Sequence, residues 1–304
     1  MDDSSHAEWA HSNLTQIHLE REQSYQVAKA WWLTNNFLGI IFSIVLIISI
    51  IASHLLREKA TNWLIINIAL CNAIQLLVLS SEESFLGFLK KSPICYLNLP
   101  LEAAARMVLH VTMVMYTIIT LHETRLEVTL KETICCRKGI IMSLTAVVWI
   151  ICLIEVLVMG FGLDQMYVDR TGFCYFMDTF PYWVLGVRAM VTFTLPLLIL
   201  FICGFFFIAY SCKARKVALG WQKNMPLILT CILTPLIHLP SLVINHVDAT
   251  IPMIRYCFYF KDVAWMLLPL YFLCFGEVKT ENVKKLRKCC KRSNEPESIG
   301  LMHQ

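Results

Sequence analysis

Between Lys29 and Arg57 the chain carries no Asp, Glu, Lys or Arg, and most side chains there are Ile, Leu, Val, Phe or Trp. A helix crossing the hydrocarbon of a bilayer takes about 20 mostly apolar residues, because every backbone N–H and C=O must be satisfied within the segment. Six later stretches read the same way. The expected spans are 32–56, 62–80, 98–121, 140–162, 182–210, 225–245 and 256–276. The second extends through Glu82 and Glu83, and the third is the least apolar. The 304 residues are 57% hydrophobic and 16% charged, against about a quarter charged in a soluble domain. Seven helices and short loops use up that length. The expected fold is an all-α membrane protein: a tail over 1–31, a seven-transmembrane helix bundle over 32–276, and a short amphipathic helix and tail over 277–304.

Basic residues orient the bundle, since they collect on the cytoplasmic side. Seventeen of the 26 Lys and Arg residues fall in alternate loops and the C-terminal tail, from Arg57 and Lys59 to Lys291 and Arg292. Six lie on the opposite side, and Arg106, Arg188 and Lys261 fall within spans. This alternation requires an odd number of spans, with the N-terminus outside and the C-terminus in the cytoplasm. The polar, acidic first 30 residues lack a basic stretch followed by an apolar one, so the first span is expected to serve as its own insertion signal.

Asn13 opens the only N-x-[ST] sequon in the chain, in the outer tail, and is the expected glycosylation site. Cys95 and Cys174 lie in the outer loops before spans three and five, where an oxidising exterior permits a bridge. The residues alone leave two unrelated thiols open. Most other cysteines sit in apolar runs, where Cys acts as a small hydrophobe. With no CxxC…CxxC or HExxH pattern, neither a metal nor a cofactor is expected, and no nucleic-acid partner.

Thr61-Asn62-Trp63-Leu64-Ile65-Ile66-Asn67-Ile68-Ala69-Leu70-Cys71-Asn72 resembles the second helix of rhodopsin-like G-protein-coupled receptors, which reads T-N-x-x-x-x-N-L-A-x-A-D. Trp149 in span four matches that family's tryptophan. Pro196, Pro240 and Pro269 fall in spans five, six and seven, where the family bends its helices. Cys95 and Cys174 match its disulfide between helix three and the second outer loop. The resemblance covers nearly the whole chain and implies a non-enzymatic receptor in the plasma membrane that partners a heterotrimeric G protein.

The chain also departs from the family. The helix-one asparagine corresponds to Ile44, and the acid of helix two is Asn72, suited to interhelical hydrogen bonding rather than to holding a cation. Asp-Arg-Tyr at the inner end of helix three corresponds to Glu123-Thr124-Arg125, moving the Arg about 100° around the helix. His238 stands where Trp is usual, and N-P-x-x-Y reads Leu268-Pro269-Leu270-Tyr271-Phe272. The pattern is similar to divergent orphan receptors encoded by gammaherpesviruses, which implies a host cell membrane; a divergent cellular receptor fits as well.

Ionisable residues inside spans are costly, so each is a candidate for function. Glu102, Arg106 and His110 recur every four residues and form one stripe on span three. The resemblance brings them toward Arg188, His238, Lys261 and Asp262 around an outer cavity. A polar ligand pocket, a built-in network that substitutes for ligand, and a structural salt-bridge cluster all fit these residues. Glu155 in span four is expected to meet a polar partner on helix three or five, or to face the bundle protonated.

On the inner side, Glu123, Thr124 and Arg125 are the expected G-protein contact. A displaced Arg weakens the restraint on the inactive state, which implies signalling without ligand. The basic third inner loop suits an acidic partner or anionic lipid. Cys289 and Cys290 follow the tail helix beside Lys291 and Arg292, a context that suits palmitoylation. Competing readings are a transporter or channel using the polar residues as a path, and a non-coupling decoy or trafficking receptor. An intramembrane enzyme lacks a catalytic constellation. Homo- or hetero-oligomers are compatible with all of these.

Overall fold

The computed structural model describes residues 27, 30–31, 33–83, 95–125, 138–158, 166–168, 174–176, 190–213, 225–233, 235, 263 and 265–294. Almost all of these are helical. The helices are α1 (Leu33–Ile51), α2 (His54–Glu58), α3 (Ala60–Glu83), α4 (Cys95–Arg125), α5 (Lys138–Leu157), α6 (Leu195–Lys213), α7 (225–233), α8 (Trp265–Cys274) and α9 (Gly276–Asn294). Strands β1 (Met166–Val168) and β2 (Cys174–Phe176) form an antiparallel pair with Tyr167 opposite Tyr175.

Among the described residues, four helices are long and apolar enough to cross a membrane: Leu33–Ile51, Ala60–Leu77, Pro100–Leu121 and Lys138–Leu157. Leu195–Ala209 and Trp265–Cys274 are shorter apolar helices. The most apolar window, on α5, is only 17% buried inside the protein. Its exposed face carries Ile150, Ile151 and Ile154, while α1 exposes Phe37, Ile41 and Ile48 and α6 exposes Phe201, Phe205 and Phe206. Surfaces of this size and apolarity belong in lipid rather than water. The chain is therefore a multi-pass helical membrane protein.

Helix α4 is the hub. It packs against α3, α5 and α6, and against β2. Tyr116 meets Phe272 of α8 edge to face at 5.4 Å. Thr117 Oγ1 lies 3.3 Å from Cys231 Sγ of α7. Two glycines allow close helix crossings, as small residues do in membranes. A Cβ on Gly39 of α1 would come within 2.5 Å of Leu76 Cδ1 and 3.1 Å of Met266 Cα. One on Gly204 of α6 would lie 2.8 Å from Cys231 Cβ.

The boundaries differ from the hydropathy reading in ways that have local causes. The first span ends at Ile51 instead of running to residue 56, because Ser53 is extended (φ −107°, ψ 114°) and α2 starts afresh at His54. Helix α4 starts at Cys95, so Cys95 begins a helix instead of lying in a loop, and Pro100 sits inside its first two turns. The expected continuation of span two through Glu82 and Glu83 is present in α3. The tail helix runs to Asn294, which places the backbone of Cys289 and Cys290 within α9 rather than after it. Gly276, at φ 76°, turns the chain between α8 and α9, a conformation that glycine adopts without a Cβ penalty.

Candidate functional site

Two asparagines of α3 organise the interior. Asn67 Nδ2 donates to Thr112 Oγ1 of α4 (2.7 Å), and Asn67 Oδ1 accepts from Trp149 Nε1 of α5 (2.8 Å). Thr112 in turn donates to the Val108 carbonyl at 2.7 Å. One carboxamide thus joins three helices, which suits a group that can donate and accept at once.

Asn72 lies further along the same helix and reaches the other way. Its Nδ2 donates to Ser43 Oγ of α1 (3.1 Å) and to the Trp265 carbonyl of α8 (3.0 Å). The second bond has a covalent cause. Pro269 has no N–H, so the carbonyl four residues earlier, on Trp265, loses its helical donor. Asn72 supplies one. Ile44 is 48% exposed and faces outward, so the polar contact of α1 with Asn72 is made by the residue before it. Among the described residues, the Asn36 amide, Gln75 Nε2 and Asn72 Oδ1 are buried without a hydrogen-bond partner.

The polar stripe of α4 divides into two parts. Arg106 donates to Glu102, in the favourable order for a helical ion pair. Glu102 is buried while the Arg106 side chain is 42% exposed, so the acid is the anchored member. His110 is buried, and its ring meets Trp265 edge-on with centroids 6.2 Å apart. The stripe therefore touches the same α8 residue whose carbonyl Asn72 holds. Glu155 is partly buried in α5.

Prolines also shape α6 and α7. A π-helical turn at Met190–Thr194 ends two residues before Pro196, and another at Leu229–Leu233 ends two residues before Pro235. A wider turn relieves the clash between a proline ring and the carbonyl four residues earlier. Sequence reading singled out Pro240 for span six and missed Pro235; the local signal was a second proline in Thr234-Pro235.

Several predicted residues fall outside the described ones: Asn13, Arg188, His238, Pro240, Lys261 and Asp262. The backbone of Glu123, Thr124 and Arg125 forms the last turn of α4, but their side chains are not among those described, nor are those of Cys289 and Cys290. Cys95 begins α4 and Cys174 begins β2, and β2 packs on α4.

No protein-family model matches the chain, and no curated protein sequence matches it. The functional reading therefore rests on these residues and their geometry.

Proposed function

We propose that this chain is a divergent receptor of the rhodopsin-like class, crossing the plasma membrane seven times with its N-terminus outside. The reading gives Asn13 a glycan, Cys95 and Cys174 a disulfide, and Cys289 and Cys290 acyl chains. It couples to a heterotrimeric G protein through the inner end of α4. One observation carries the reading. The resembling residues Asn67, Asn72, Trp149 and Pro269, scattered over 200 positions, belong to the hydrogen-bonded junctions that tie α1, α3, α4, α5 and α8 together. A chance local likeness in α3 gives no reason for its partners to match as well.

In this reading Glu102, Arg106 and His110 form the floor of an outer cavity, and a ligand or the cavity's own network acts through the His110–Trp265 contact on α8. Signalling without ligand is expected, because Glu123 is followed by Thr124 and the Arg is displaced to position 125. The test is second-messenger output in cells expressing the wild type, Glu123→Ala or Arg125→Ala without added ligand. Basal output above mock transfection that falls with Arg125→Ala is the expected result. Wild-type output equal to mock removes the coupling claim, and substrate flux in liposomes then favours the transporter reading.

A further inference from the structure

Three constraints meet at Cys231 of α7. It lies in the wide turn Leu229–Leu233, and its carbonyl is the one four residues before Pro235, which a proline ring would strike in an ordinary α-helix. Its thiol is 3.3 Å from Thr117 Oγ1 of α4. It also presses on Gly204 of α6, where an added Cβ would come within 2.8 Å of Cys231 Cβ and 3.5 Å of its carbonyl carbon. Both Cys231 and Thr117 are buried. A wide turn holds one residue more than the α register, and such turns recur at functional sites.

We propose that α7 has two registers. In the first, the wide turn sets Cys231 on Thr117. In the second, the turn relaxes to α geometry with an ordinary kink at Pro235, residues 225–230 rotate by about 100°, and Cys231 leaves α4. The rotation costs little. Leu227, Thr230 and Cys231 are buried, while Ile228, Leu229 and Ile232 are partly buried, so one largely apolar face replaces another. Lipid adds no hydrophobic penalty to that exchange. Thr230 donates to the Pro226 carbonyl of its own helix at 2.7 Å and carries its partner with it. The tie that is lost is weak, because a thiol is a poor hydrogen-bonding group. Thr117 then has the carbonyl four residues back within reach, as Thr112 uses that of Val108. The second register is a minor state of about 0.1–10%. It makes α7 a device that turns a change beside Thr117 into rotation of the helix before Cys231.

The proposal rests on helix geometry and not on G-protein coupling. The full-length protein in detergent is treated with N-ethylmaleimide, and alkylation of each cysteine is followed by peptide mass spectrometry. Cys71 of α3 is as buried as Cys231, at 0% exposure each, and serves as the internal standard. In the wild type Cys231 should react faster than Cys71 by about tenfold or more, because rotation uncovers Cys231 alone. Pro235→Ala removes the ring that opposes the α register and should raise the ratio of the two rates by a further factor of about three or more. Thr117→Val keeps the shape without the hydroxyl and should raise it by about twofold or more. A substitution that merely loosens the fold speeds both thiols and leaves the ratio where it was. A wild-type ratio near one, or no rise with Pro235→Ala, overturns the second register. No rise with Thr117→Val overturns the role of that contact in holding the first. Silence in the signalling assay leaves α7 as described, and equal reactivity of the two thiols leaves the receptor reading untouched.

Discussion

At the scale of single residues, carboxamides act as connectors because each offers a donor and an acceptor in a medium where neither finds water. Interhelical hydrogen bonds in membranes contribute about 0.6 kcal/mol on average and up to about 1.7. Asn67→Leu breaks two, with Thr112 and Trp149, and should destabilise by about 1–2 kcal/mol; Trp149→Phe breaks one and should cost about half of that. Thermal unfolding in detergent checks the ratio. The Asn72 bond to Trp265 makes a sharper case. Asn72→Leu should cost about 1–2 kcal/mol in the wild type but less beside Pro269→Ala, whose restored N–H serves the same carbonyl. Strict additivity in that double-mutant cycle would show that the two residues do not share it. Asn36, buried with no partner among the described residues, should behave oppositely: Asn36→Leu removes an unanswered amide at similar size and should leave the melting temperature unchanged or raised.

At the scale of elements, what matters is where helices are interrupted. Prolines in a soluble helix mostly end it. Here Pro196 and Pro269 are kept inside helices, because a wide turn or a neighbouring side chain takes up the freed carbonyl. Pro196→Ala removes the reason for the π turn at Met190–Thr194. Losing one extra residue rotates the chain before it by about 100°. Val191, now exposed on the lipid side, should then turn inward, and spin-label mobility at Val191→Cys reports it. Gly276 sets the direction of α9 with φ 76°. Gly276→Val places a β-branched residue in that conformation and should cost about 1–2 kcal/mol, seen as faster amide exchange throughout α9 while α3 is unaffected.

At the scale of the whole molecule, lipid is the solvent. Ile150, Ile151 and Ile154 lie on the outside of a helix among the most apolar in the chain, an arrangement that would aggregate in water. Ile150→Arg should impair insertion of α5 by about 2.5–3.5 kcal/mol, measured as reduced integration of that segment in microsomes. Unchanged integration would argue that this face is not in hydrocarbon. Epitope tags on the two termini should be reached from opposite sides of the cell if the proposed seven spans are right; access from one side would overturn that count.

The membrane class and the positions of the described apolar helices were legible from the sequence, because hydropathy is a sum over neighbours along the chain. Each span had only to satisfy its own backbone, so its existence did not depend on what packed beside it. Partners were a different matter. That Asn67 faces Trp149 while Asn72 faces away from it, that Ser43 and not Ile44 meets Asn72, and that His110 lies on Trp265 all depend on helix rotation and crossing. Those were set by close approach at Gly39 and Gly204 and by the wide turns before two prolines. Asn282 and Lys285 of α9 reach Ser49 and Ala52 at the end of α1 because Gly276 turns the chain there. A linear pattern carries local energy; only the packed bundle decides which buried polar groups answer one another.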